Sequence, residues 1–452
     1  MEWVIRIGQF ILSLSILVVL HEFGHYLPAK LFGTRVEKFF LFFDYKFALV
    51  KKKIGDTVWG IGWIPFGGYV KIAGMVDESM DKEQMNQEPQ PWEYRSKPAW
   101  QRLIIILGGV TVNIILAFVI YWMLMFVYGE KYLPVANMKD GVWVQNELVA
   151  QRIGIQNGDK IISIGEQPMV NFGDMNEALL YSGGKSVVVE RNGEKVSLNS
   201  PEGIDQDILA GGSPLVVSMR IPFFVGGFSE DVSNGKDCGL QVKDKIIGVD
   251  SVPVRYFDEF KTYLSGKKGQ PIALKVLRGE TEQTLTCNVN DSGLVGIAPV
   301  NMSMNDLEKA GVYTFETKEY SFFEALPAGF NKTFETLGGY IKQFKVLFTP
   351  QGAKQVGSLG TIMSMFPPEW NWQAFWQLTA FLSIILAFIN VLPIPALDGG
   401  HAVFIIYELI TGRKPSEKFL EKAQTVGMIL LIGLMVYALG NDIWKFIISK
   451  FI

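Results

Sequence analysis

The sequence predicts a multi-pass α-helical membrane protein with four transmembrane helices, a membrane-associated β-hairpin and a water-soluble α+β insertion. Three observations predict it. Four apolar stretches are each long enough to cross a bilayer as helix, which takes about 20 residues. Only 19% of the 452 residues are charged and 49% are hydrophobic, against about 25% charged in an ordinary soluble domain. The long, more polar region between the second and third stretches carries an internal repeat.

The first apolar stretch runs from about Ile7 into the region of His21, where polar residues interrupt it. The second, Leu103 to Tyr128, and the third, Gln373 to Leu397, hold no charge. The fourth is Ala423 to Asn441. The first two are joined by a segment containing Lys30, Arg35, Lys38, Lys51, Lys52, Lys53 and Arg102. The last two are joined by one containing Arg413, Lys414, Lys418 and Lys422. Positive short loops mark the cytoplasmic side, so both termini and the region from Gly129 to Trp370 are expected outside. The net charge of -3 excludes the basic face of a nucleic-acid binder.

In the segment after the first stretch, Val58 to Val70 alternates apolar residues with glycines. It is read as a re-entrant β-hairpin, which at membrane depth must be buried in protein or line a watery cavity. The repeat pairs Gly154-Ile155-Gln156-Asn157-Gly158-Asp159-Lys160-Ile161-Ile162 with Gly239-Leu240-Gln241-Val242-Lys243-Asp244-Lys245-Ile246-Ile247. Each copy continues into β-rich runs around a turn, Asn192-Gly193 and Arg278-Gly279, which read as hairpins. The copies resemble tandem PDZ domains, with Lys243 standing where the first copy has Gly158. The resulting division is 1–128, two spans and the hairpin; 129–215 and 216–305, the PDZ-like pair; 306–370, a linker; and 371–452, two further spans. Within the linker Leu326, Phe330, Phe334, Leu337, Ile341, Phe344 and Phe348 recur every three or four residues, an amphipathic helix suited to a membrane surface or to the PDZ-like pair. The two cysteines, Cys238 and Cys287, are too few for a cysteine zinc cluster; a disulfide and two separate buried thiols both remain open.

The chemistry concentrates in two places. Three histidines occur in the chain, and two of them form His21-Glu22-Phe23-Gly24-His25. Four residues apart on a helix, both imidazoles face one way, and the intervening glutamate is the general base in a zinc-protease motif of this form. Ionisable groups at the end of an apolar span are functional candidates because they are costly there. Catalytic zinc takes three protein ligands and keeps a position for water. A third ligand is therefore expected from another span, and Asn390-Val391-Leu392-Pro393-Ile394-Pro395-Ala396-Leu397-Asp398-Gly399-Gly400-His401 offers two, Asp398 and His401. Its prolines break the helix and let a side chain turn inward.

These two motifs together, with the intervening PDZ-like pair, resemble the site-2 protease family of intramembrane zinc metalloproteases. Pro65-Phe66-Gly67-Gly68-Tyr69-Val70-Lys71 is similar to that family's segment after its membrane-associated hairpin. The resemblance implies zinc held by His21, His25 and Asp398, Glu22 as catalytic base, and Asn390 as a substrate or transition-state contact. It also implies regulated intramembrane proteolysis in a bacterial inner membrane, with the active site near the cytoplasmic side and the PDZ-like pair in the periplasm. Its substrates would be single-span membrane proteins, such as an anti-sigma factor already trimmed by another protease, and remnant signal peptides. Gly109-Val110-Thr111-Val112-Asn113 lacks the proline that the family often places after the glycine. The rival readings are a metal-holding scaffold and a metal transporter. An intact Glu22 argues against the first, and the lack of paired half-molecules against the second.

Overall fold

The computed structural model describes all residues except 1, 76–87, 211–214, 230–231, 301, 303, 347–358 and 452. It divides into two compact units, residues 1–129 with 319–452 and residues 130–318.

The first unit is helical with one sheet. Its main helices are α1 (Glu2–Leu31), α2 (Ala99–Tyr128), α3 (Ala325–Val346), α4 (Trp372–Val391), α5 (Asp398–Thr411) and α6 (Glu417–Phe451). Among the described residues four helical segments are long and apolar enough to cross a membrane: α1, α2, α4 and Lys418–Ala438 of α6. The chain is therefore built as a membrane protein. α1 and α2 meet where glycine faces glycine. A Cβ on Gly24 would lie 2.4 Å from the Gly108 carbonyl oxygen, and one on Gly108 would lie 2.0 Å from that of Gly24. Small residues at such crossings let helix backbones touch, which is how helices associate where lipid removes the hydrophobic drive.

The third apolar stretch does not continue as one helix to Leu397. α4 ends at Val391, residues 392–397 are non-helical, and α5 starts at Asp398. Pro393 and Pro395 withhold two backbone donors there, and Ala396 takes a left-handed φ of 79°. The chain then folds back on itself so closely that a Cβ on Gly399 would lie 2.2 Å from the Val391 oxygen and one on Gly400 2.3 Å from that of Ile394. Two glycines after Asp398 are thus a steric requirement of the turn. The far end of α5 is tied to α2 by a partly buried ion pair, Arg102 Nη2 to Glu408 Oε1 at 2.5 Å.

The expected hairpin at Val58 to Val70 is corrected. Four strands, β1 (Val36–Phe43), β2 (Val50–Ile54), β3 (Thr57–Ile61) and β4 (Ile64–Ile72), form a sheet in the order β2-β3-β1-β4. β3 pairs in parallel with β1 and antiparallel with β2, while β4 pairs antiparallel with the other side of β1. β3 and β4 are neighbours in sequence but not in the sheet, because β1, rich in phenylalanine, lies between them. The tight link is possible because Gly62 has no side chain; a Cβ there would lie 2.2 Å from the Phe43 oxygen. β4 is left as an edge strand.

The amphipathic helix is α3. Its aromatic face packs within this unit: Phe330 against Phe118 of α2, Tyr340 against Phe381 and Phe388 of α4, and Phe344 against Phe388. Phe348 lies outside the described residues.

The second unit begins and ends in paired strands, Glu130–Tyr132 with Glu316–Lys318, so its two ends leave together. Within it are two four-stranded sheets of identical order. One runs Glu194–Asn199, Ser186–Arg191, Lys160–Ile164, Gln167–Pro168, and the other Thr281–Asn288, Pro271–Arg278, Lys245–Val249, Val252–Pro253. Asp159 accepts two bonds from Arg191 and one from the Gln156 amide; Asp244 accepts the same from Arg278 and the Gln241 amide. Hydrogen bonding from Arg278 holds the Asp244 carboxyl below the usual carboxylate range. Gly158 and Lys243 both have positive φ, 88° and 76°, a conformation that costs a side-chain-bearing residue about 1–2 kcal/mol. Cys238 and Cys287 are disulfide-bonded.

Gly24→Val should weaken the α1–α2 crossing by about 1–3 kcal/mol, the usual cost of overpacking, read as a lower midpoint of thermal unfolding in detergent. Gly8→Val, on the same helix where a Cβ meets nothing within 4 Å, should leave the midpoint near that of the parent.

Candidate metal centre

His21 and His25 lie one turn apart on α1 and both are buried. Asp398 is the first residue of α5, where the break after α4 delivers it. The three side chains converge. His21 Nε2 and His25 Nε2 are 3.3 Å apart, and Asp398 Oδ2 is 3.4 Å from the first and 3.5 Å from the second. Asp398 Oδ2 is buried without a hydrogen-bond partner. A buried carboxylate oxygen in that state is expensive unless a cation meets it. Ligands at about 2.0–2.2 Å from a tetrahedral ion are separated along the edges by about 3.3–3.6 Å. The three distances match that figure, so this donor set fits a zinc ion. Among the described residues this is the one such group of histidine and carboxylate donors.

The outer nitrogens of both rings are occupied from α2. His25 Nδ1 lies 2.9 Å from the Ile105 carbonyl oxygen, which only accepts, so Nδ1 carries the proton and Nε2 keeps its lone pair. The Asn113 carboxamide, fully buried, lies 3.0 Å from His21 Nδ1. Its oxygen and nitrogen ends are nearly isosteric, so hydrogen-bond chemistry decides their order. Facing the ring with nitrogen leaves Asn113 Oδ1 buried and unpartnered. Facing it with oxygen supplies an acceptor for Nδ1–H and frees Nε2 for a metal, the usual arrangement around a ligating histidine. Gly109 makes room for both rings, since a Cβ there would lie 2.4 Å from His25 Nε2 and 2.7 Å from His21 Cε1. α2 runs unbroken past Val110.

The three donors open onto a cavity of about 730 Å³ that is also lined by Glu22, Asn390, His401, the β4 residues Gly67 to Ile72, and Gln424 of α6. Glu22 is partly buried beside His21. Asn390, in the last turn of α4, has its Nδ2 3.5 Å from His21 Nε2. His401, the rival ligand, reaches the cavity from α5 but is not one of the converging donors. Sequence reasoning thus singled out every donor in the cluster. It named Gly109 and Asn113 only as the ends of a family segment and gave them no role, and it passed over Ile105; all three act across a helix contact. The Gly-x-x-x-Asn spacing of Gly109 and Asn113 was visible and points both residues to one helix face.

The profile of peptidase family M50 matches residues 9–434. The chain belongs to peptidase family M50. As a member it is a zinc metalloendopeptidase. Among curated proteins, the regulator of sigma E protease of Salmonella typhi is 28% identical over 468 residues, covering 97% of this chain and 98% of the relative. The protein of the same name from Haemophilus influenzae is 27% identical, covering 98% and 99%. A protein of Neisseria meningitidis whose name includes zinc metalloprotease is 28% identical, covering 96% and 98%.

Asn113→Leu should weaken metal binding by about 10–100-fold, the usual loss when the partner of a ligating histidine is removed, measured by chelator competition on the purified protein. Asn113→Asp, which keeps an acceptor at Nδ1–H, should recover most of it.

Proposed function

We propose that this M50 peptidase cuts transmembrane segments of other membrane proteins, with zinc held by His21, His25 and Asp398. The observation that carries the reading is the convergence of these three donors, with Glu22 beside them, on a cavity inside a bundle of apolar helices. Zinc, when bound, acidifies a coordinated water and polarises a carbonyl. Glu22 takes the proton of the attacking water and delivers it to the amine nitrogen as the peptide bond breaks. Asn390 presents its carboxamide beside His21 and is suited to donate to the carbonyl oxygen as charge builds there.

A transmembrane helix hides its carbonyls in its own hydrogen bonds, so it must be extended before attack. β4 supports that step. It is the edge strand of its sheet and lines the cavity, so an unwound segment can add to it as a further strand.

The substrate we propose is a single-span protein such as an anti-sigma factor already trimmed outside the membrane, in keeping with the names of the relatives. The lysine-rich loops support a centre near the cytoplasmic face of a bacterial inner membrane. The disulfide between Cys238 and Cys287 supports an oxidising, periplasmic setting for the inserted unit. The shared strand order of its two sheets supports the PDZ-like reading.

In reconstituted vesicles with a single-span substrate, Glu22→Gln should lower cleavage by about 10²–10⁴-fold with zinc content unchanged. Undiminished cleavage, or active protein without stoichiometric zinc, overturns the reading. Both native cysteines are bonded to each other, so Val70→Cys in the Glu22→Gln protein adds a single free thiol. It should form a disulfide with a cysteine placed next to the scissile bond; cross-linking no better than from Gly8→Cys would remove β4 from the mechanism.

A further inference from the structure

The last spanning helix, α6, has an outward face of exposed apolar residues, including Val426, Ile429 and Leu430, as suits lipid. Gln424 departs from this pattern. It is 4% exposed, its side chain forms no hydrogen bond among the described residues, and it lines the cavity that holds His21, Glu22 and Asp398. Its neighbour Thr425 is satisfied within the helix, donating to the Glu421 carbonyl. The position of Gln424 is set by a close contact one turn on. A Cβ on Gly427 would clash with the Pro395 carbonyl, so α6 lies directly against the break that carries Asp398.

A carboxamide that opens only onto a cavity needs a partner there, and polar residues in spanning helices face cavities where something meets them. The reading above defines what enters this cavity: a peptide pulled out of its helix. Such a strand has two polar edges. β4 can pair with one of them. The other edge, taken out of water, still carries N–H and C=O groups that need partners. A glutamine side chain is a primary amide with one acceptor and two donors, so it can serve both groups of a peptide. It does so without regard to the substrate's side chains.

We infer that Gln424 is a substrate-positioning residue that hydrogen-bonds the backbone of the extended segment along the edge β4 leaves open. This rests on the proposed intramembrane cleavage and adds a second anchor for the unwound strand. The ligand class is the main-chain amide of an apolar peptide.

The test uses the full-length zinc-loaded chain in detergent and Gln424→Met, which keeps the length and unbranched shape of the side chain. With a single-span substrate, Gln424→Met should raise KM about tenfold, the worth of one or two hydrogen bonds, with kcat within about twofold and zinc content unchanged. In the Glu22→Gln background the probe is a fluorescein-labelled Ala–Leu decapeptide, together with forms N-methylated at one amide at a time. One N-methyl position should weaken binding to the Gln424 protein and have no further effect in Gln424→Met. Positions that pair with β4 should weaken binding to both. An unchanged KM, or N-methyl losses that add fully to the Gln424→Met loss, overturns the inference and leaves the carboxamide to cavity water. A fall in kcat and zinc content together assigns Gln424 to folding and also overturns it. Failure of the parent chain to cleave any single-span substrate sinks the proposed function itself, a result distinct from these.

Discussion

A backbone carbonyl on one helix can reach an imidazole on another only if little more than hydrogen separates the two helices where they cross. That condition governs this membrane unit. Gly24 and Gly108 remove the side chains that would hold α1 and α2 apart, and Gly109 clears the volume the two rings occupy. With the axes that close, Ile105 and Asn113 meet the outer nitrogens of His25 and His21, and the inner nitrogens are turned toward Asp398. A side chain at any of the three glycines pushes the helices apart and loosens the ring orientations together.

The second requirement is a break in a spanning helix. A carboxylate on a continuous apolar helix would face lipid or a neighbouring helix. Pro393 and Pro395 interrupt the third span, Gly399 and Gly400 let the chain turn back, and Asp398 begins a new helix already pointing at the histidines. Irregular backbone among spanning helices is tolerated where it lines a cavity, and Ala396 and Leu397 of this segment do. Arg102 and Glu408 pin the far end of the new helix to α2, so one helix, α2, orients both histidines and anchors the helix that carries the aspartate.

The inserted unit follows a different logic. Its ends pair as strands, so some 190 residues enter and leave through one short ladder, and the membrane unit can close around a chain that departs between α2 and α3. The two sheets within it share a strand order and the same aspartate–arginine pair. The sequence alignment of the copies rests on Asp159 and Asp244, and these are the residues that lock each loop to its sheet. Lys243 in place of Gly158 keeps the left-handed backbone, so the change alters cost and not shape.

Local sequence alone determined the long apolar helices, the same-face placement of His21 and His25 and the proline break ahead of Asp398, because each depends on residues close together in the chain. The same is true of the turns and strands of the inserted copies. Only the tertiary structure decided the order of the four-stranded sheet, where β1 enters between strands that are adjacent in sequence. It also decided the packing of α3 on α2 and α4, the bonding of Cys238 to Cys287, and the placement of Asn113, Gly109 and Gln424 around the centre. Each of these is a contact between segments tens to hundreds of residues apart. A run of apolar residues specifies that a segment is buried, but not which neighbour buries it, because dispersion and burial are nearly indifferent to partner identity. That choice was made by shape, at glycines small enough to let particular backbones touch.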